Sequence, residues 1–140
     1  MSKHVMHQIG EAANRVGLSL RTVRYYEEVG LVVPSGRTEG GFRLYTDEDI
    51  ELLALVKSMK PLEFSLDEMR DLLEVRVELN EVGISSSRRE ELLDRLAMYA
   101  VAAQKRLEAL RSQLDVVHGF AAQLRREVRS HKRAGSAGRR

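Results

Sequence analysis

The chain has 140 residues, 43% hydrophobic and 31% charged, with a formal net charge of +2 at pH 7. That length suits one ordinary domain, or a small domain followed by a long helix, and the 5% aromatic share and two prolines favour helices over a β-sandwich. The absence of cysteine excludes disulfides, thiolate metal sites and thiol redox sensing, and with neither a bilayer-length apolar run nor a signal-peptide core the expected location is cytoplasmic.

Ile9, Ala12, Ala13 and Val16 are spaced i, i+3, i+4, i+7, which predicts one apolar face of a first helix that stops at Gly17. Gln8 is a poor cap for it. After the tight connection "GLS", Ser19 caps a second helix with Leu20 and Val23 on its apolar side, ended by Gly30. Two short helices joined by a Gly-containing turn are the signature of a helix-turn-helix. The stretch "LRTVRYYEEVGLV", residues 20–32, crowds Arg21, Thr22, Arg24, Tyr25 and Tyr26 onto that second helix.

Residues 32–46, "VVPSGRTEGGFRLYT", have β-formers at both ends and Pro34, Ser35, Gly36, Gly40 and Gly41 between them, which predicts a β-hairpin. Thr46 with Asp49 opens a third helix with a stripe of Leu52, Leu55, Val56 and Met59, broken by Pro61. Ser65 and Glu68 form a capping box for a fourth helix carrying Leu66, Met69, Leu72 and Leu73. Residues 76–86 lack a clean period and read as a linker, after which Ser87 and Glu90 cap a last helix.

On that helix Leu93, Leu96, Ala100, Ala103, Leu107, Leu110, Leu114, Val117, Ala121, Leu124 and Val128 alternate in steps of three and four. Such a repeat predicts a coiled coil about 50 Å long. Packing the stripe onto the same chain is the alternative, but residues 1–75 make too small a unit to cover it, so pairing between two chains is expected. The expected domains are 1–75, a linker at 76–86, a dimerisation helix at 87–129 and a basic tail at 130–140. Lys and Arg outnumber Asp and Glu seven to one over residues 125–140, against six to four over 1–46 and ten to sixteen over 47–124. The tail reads as a frayed helix end and a disordered segment, and it makes the overall basic balance weak evidence for a nucleic-acid partner.

Nothing in the sequence supplies catalysis. The four histidines, His4, His7, His118 and His131, have no metal-ligand spacing, and no phosphate-cradling loop is present. No cofactor or metal is expected. Nucleic-acid binding is better supplied: residues near the start of the second helix of a helix-turn-helix reach base edges. Arginine can hold guanine in a bidentate way, and a threonine methyl can meet a thymine methyl. Tyr25 suits a phosphate oxygen, and Arg37 and Arg43 flank the hairpin tip. Each has a plainer reading. Arg21 and Arg24 could pair with Glu27 and Glu28, Tyr26 reads as core, and Tyr45 could be a packing residue.

Residues 9–53, "IGEAANRVGLSLRTVRYYEEVGLVVPSGRTEGGFRLYTDEDIELL", with "PLEFSLDEMRDLL" after them, resemble the mercury-resistance-regulator (MerR) family of bacterial transcription factors. The resemblance covers about residues 7–75. It implies a mainly α fold, a winged helix-turn-helix head followed by a long antiparallel coiled coil. It implies that Arg21, Thr22 and Arg24 face the major groove and that Tyr25, Arg37, Gly41, Phe42, Arg43 and Tyr45 approach the phosphate backbone. Ser19, Lys57 and Lys60 complete the DNA-facing set. Phe42 stands where the family often has tyrosine, and Glu63 where it usually has glycine. The family's metal sensors and redox branch use cysteines, so this chain is expected to be neither, and no ligand-binding core is expected from its short tail.

The expected function is therefore a homodimeric, sequence-specific regulator that binds double-stranded DNA at an inverted-repeat operator. The resemblance adds that it distorts promoter DNA to activate or repress transcription, in company with RNA polymerase. The expected place is the cytoplasm, nucleoid-associated, without a membrane partner. Two rivals stand beside it: a coiled-coil adaptor for protein partners, and a ligand-independent repressor or architectural DNA-binding protein.

Overall fold

The computed structural model describes residues 5–138; His4 and the terminal Arg139 and Arg140 lie outside the described residues. In chain order the elements are β1 (His7–Gln8), α1 (Ile9–Val16), α2 (Leu20–Glu28), β2 (Gly36–Arg37), β3 (Arg43–Tyr45), α3 (Asp47–Met59), a 3-10 turn (Lys60–Leu62), α4 (Leu66–Leu79) and α5 (Ser86–Ala137). The chain divides into two units, Met1–Ala97 and Met98–Arg140.

In the first unit the expected hairpin is present and gains a third strand. The sheet is antiparallel in the order β1-β3-β2, with His7 opposite Tyr45 and Arg37 opposite Arg43. Two residues are too few to show an alternating pattern, which is why β1 left no signal in the sequence. His7, buried, fastens this strand: its Nε2 lies 2.8 Å from an Asp47 carboxylate oxygen and its Nδ1 3.2 Å from Glu11.

α1 ends as its sequence predicts, with Gly17 in the left-handed conformation at φ 68°. A Cβ there would also sit 3.0 Å from the Lys57 ammonium, which reaches across from α3 to donate to the Val16 carbonyl at 2.8 Å. A cation at a helix C-terminus satisfies an unpaired carbonyl and opposes the negative end of the helix dipole. Ser19 caps α2 by accepting from the Thr22 amide at 3.0 Å. At its other end Arg70, from α4, donates to the Val29 carbonyl.

The core is one cluster: Ala12 and Ala13 from α1, Val23 and Tyr26 from α2, Leu31, Val32, Tyr45, then Ile50, Leu53, Val56 and Met59 from α3 and Leu73 from α4. The buried face of α3 is Ile50, Leu53, Val56 and Met59; of the expected stripe Val56 and Met59 are buried, while Leu52 and Leu55 are only partly so. Both capping boxes form, Thr46 with Asp49 and Ser65 with Glu68.

The segment between the last two helices is shorter than expected. α4 continues to Leu79, where the Asn80 side chain donates to the Arg76 carbonyl at 2.8 Å. α5 starts at Ser86, with Ser85 rather than Ser87 accepting from the Arg88 amide at 3.1 Å. Arg88 is held bidentately by Glu78, at 2.5 and 2.9 Å, and Arg95 pairs with Asp71, so the first turns of α5 are tied to α4. Leu92 is buried here, whereas its neighbour Leu93 on the heptad stripe is exposed.

In the second unit α5 runs through Ala137, eight residues past the expected end at 129, so residues 130–137 are helical rather than the expected irregular tail. Leu107, Leu114, Val117, Leu124 and Val128 are each more than a third exposed along it.

Among the described residues one non-glycine residue lies in the left-handed region of backbone space. Glu63 has φ 62° just after the 3-10 turn. A side chain in this conformation costs about 1–2 kcal/mol, part of which glycine gives back through its freer unfolded chain. Glu63→Gly should therefore raise stability by about 0.5–1 kcal/mol. Urea unfolding measures it, and an unchanged or lower midpoint would contradict the strain.

Candidate nucleic-acid interface

The outward face of α2 follows from its inward one. Val23 and Tyr26 are in the core. Arg21, Arg24, Tyr25 and Glu28, at i, i+3, i+4 and i+7, are exposed on the opposite side. Among the described residues neither Arg21 nor Arg24 makes an ion pair or hydrogen bond within the protein. The alternative of pairing these arginines with Glu27 and Glu28 is therefore not what the structure adopts. The Ser19 and Thr22 hydroxyls lie 2.8 Å apart at the start of the helix, so both are already engaged locally.

Lys60 joins this face. With Arg21, Thr22, Tyr25 and Tyr26 it lines a shallow hollow of about 220 Å³. Lys57 does not join it, because its ammonium is spent on the C-terminus of α1. Tyr25 and Tyr26 have ring centroids 6.1 Å apart at a tilt of 50°, one ring outward and one in the core. Burial, with the neighbouring Tyr25 adding to it, raises the Tyr26 pKa.

The wing is drawn onto α2 by one carboxylate. Glu27 accepts from Arg37 at 2.9 and 3.0 Å and from the Arg43 Nε at 2.9 Å. Its side chain is 18% exposed. Burial alone would raise its carboxyl pKa, but the hydrogen bonds and charges of Arg43 and Arg37 outweigh that and leave it below the ordinary value. Arg37 also donates to the Gly41 carbonyl at 3.2 Å. The tip is closed by Thr38, whose hydroxyl accepts from the Phe42 amide at 3.1 Å and whose carbonyl accepts from the Gly41 amide at 2.9 Å. Gly41 has φ 84°, a conformation that suits glycine. Phe42 projects from this tip, 65% exposed.

Tyr45 is elsewhere. It is wholly buried, and its hydroxyl has no hydrogen-bond partner among the described residues. Burial, with the charge of Glu27 adding to it, raises its pKa. Of the twelve residues assigned from the sequence, the structure gathers Arg21, Thr22, Tyr25 and Lys60 at one hollow, with Ser19 at the helix start and Arg24 on the same helix face. Arg37, Gly41, Phe42 and Arg43 sit in the wing, and Lys57 and Tyr45 do structural work. What the sequence reading missed is Glu27. Helical spacing offers it to Arg24, while the wing arginines that hold it are ten and sixteen residues away.

A helix-turn-helix with an outward cationic helix and an adjoining arginine-bearing wing is an arrangement for duplex DNA. Residues 8–75 match the profile of the MerR HTH family regulatory protein. HTH-type transcriptional regulator YfmP of Bacillus subtilis (strain 168) is 38% identical over 117 residues, which is 79% of this chain and 76% of that protein. The chain belongs to the MerR family. A second relative, HTH-type transcriptional regulator ZntR of Escherichia coli (strain K12), is 37% identical over 98 residues, 66% of this chain and 70% of that one. Among solved structures it is similar to HiNmlR, described as a MerR family regulator lacking the sensor domain and bound to promoter DNA. The TM-score is 0.60 at 25% identity, over 84% of this chain and 89% of that one. The family is one of DNA-binding transcription regulators and not of enzymes. Among the described residues of this MerR-family chain no helix is long and apolar enough to cross a membrane.

A buried hydroxyl without a partner costs about 1–3 kcal/mol against one that is paired. Tyr45→Phe should therefore keep or raise stability, by up to about 1 kcal/mol, and leave duplex affinity within about twofold of wild type. Thermal unfolding and a gel-shift titration measure the two. A large loss of affinity at unchanged stability would mean that Tyr45 leaves the core to meet DNA.

Proposed function

We infer that the protein is a homodimeric, sequence-specific regulator that binds an inverted-repeat operator and distorts promoter DNA, so that transcription by RNA polymerase is activated or repressed. The observation that carries this reading is the outward face of α2, where Arg21 and Arg24 are exposed without a partner among the described residues. Two uncompensated guanidiniums flanking Tyr25, with Lys60 in the hollow beside Arg21, form a surface for guanine edges and phosphates. The wing arginines, Gly41 and Phe42 follow the backbone next to that helix. This activity places the protein on the bacterial chromosome, in the cytoplasm.

The apolar stripe of α5 supports the second copy. Leu93, Leu96, Ala100, Ala103, Leu107, Leu110, Leu114, Val117, Ala121, Leu124 and Val128 would form the seam of an antiparallel pair. A stripe of this length left in water is the signature of an interaction surface. Two linked heads meet two half-sites, hence the inverted repeat. Bending or untwisting such a site costs about 1–6 kcal/mol, which contacts on both half-sites must supply.

Arg24→Ala should weaken binding to a selected duplex by about 1–3 kcal/mol and relax its sequence preference, as read by gel shift and by sequencing of enriched duplexes. Wild-type behaviour of the variant would refute the major-groove role. Leu114→Arg should convert a two-chain particle into single chains in sedimentation at micromolar concentration. A wild-type protein that already sediments as one chain would refute the dimer.

A further inference from the structure

Arg37 and Arg43 are direct register partners across the β2–β3 ladder. Like charges directly opposite each other destabilise a strand pair. Here they also flank the segment that carries the wing tip. Both guanidiniums converge on Glu27, in the last turn of α2, by three hydrogen bonds of 2.9 to 3.0 Å. The Glu27 side chain is 18% exposed, while those of Arg37 and Arg43 remain 48% and 29% exposed. One carboxylate thus sits between two arginines on two strands, and the cluster keeps a net charge of one guanidinium on its solvent side.

We propose that Glu27 is the positioning residue for DNA recognition, a latch that locks the wing arginines to the recognition helix and withholds one of their two positive charges from non-cognate DNA. This rests on the DNA-binding reading above. Random duplex counts charge and tolerates geometry, whereas a cognate site needs its phosphate-facing groups at fixed separations. A free guanidinium must be ordered on binding, and that cost falls on the cognate complex. Glu27 therefore lowers affinity for random DNA and raises it for the operator. Selectivity then comes from a residue that need not touch the duplex.

The test compares wild type, Glu27→Gln and Glu27→Asp on two probes: a duplex that the wild-type protein enriches from a random-sequence pool, and a random duplex of equal length. Binding is titrated against salt. Glu27→Gln keeps the shape and removes the charge. Its random-duplex affinity should rise, and the slope of log affinity on log salt should steepen by about 0.9 per chain. Its selected-to-random ratio should fall about tenfold. Glu27→Asp keeps the charge, so its salt slope should stay at the wild-type value. A variant that merely loosened the fold would bind both duplexes more weakly, with no steeper slope, and that result overturns the proposal. So does a Glu27→Gln variant with an unchanged ratio. If the wild type enriches no duplex at all, the DNA-binding reading itself falls and the latch falls with it.

Discussion

The packing of Val23 and Tyr26 against the α1 and α3 core decides everything outward of it. Val23 is 0% exposed and Tyr26 4%. Burying a side chain of this size is worth about 1.5–3 kcal/mol, and the two together fix the rotation of α2 about its own axis. With 3.6 residues per turn, that rotation carries Arg21, Arg24 and Tyr25 to the opposite face. A rotation by one residue would turn either Arg24 and Glu27 or Thr22 and Tyr25 into the core in place of Val23 and Tyr26, burying polar groups at a cost that is a large fraction of a small domain's stability.

Around that fixed helix six of the cations fall into three pairs. Lys57 and Arg70 reach back to carbonyls at the ends of α1 and α2, and their charge is consumed in holding the two helices. Arg37 and Arg43 are half-consumed by Glu27. Arg21 and Arg24 are held by nothing within the protein among the described residues. Uncompensated positive charge therefore gathers where α2 faces out, although residues 1–75 as a whole are acidic, with nine Lys and Arg against thirteen Asp and Glu. Local geometry, not the overall basic balance, makes the cationic face of α2.

α5 has two kinds of face in its first turns. Arg88 and Arg95 pair with Glu78 and Asp71, and Leu92 is buried, all within the head. Leu93, one position on, begins the apolar stripe, of which Leu93, Leu107, Leu114, Val117, Leu124 and Val128 are exposed. Adjacent positions on a helix point about 100° apart, so one helix can serve its own domain and a second surface at once. The stripe is apolar, and its partner in the proposed dimer is the same stripe of a second chain.

Much of this was legible in the amino-acid order. The helix-turn-helix, the Ser19 cap, the two capping boxes, the glycine stop at Gly17 and the long heptad run all depend on residues within a few positions of one another, and local patterns record local interactions. The two-residue strand at His7 was invisible because it exists only by pairing with Tyr45 and Leu44, far along the chain. The helix limits at Leu79 and Ser86 depended on Asn80 and Ser85, two of several polar residues that spacing alone could not rank. The duties of Lys57, Tyr45 and Glu27 were decided by tertiary structure for the same reason. A carbonyl at Val16, a closed core and a pair of wing arginines come within reach of them only when distant segments pack together.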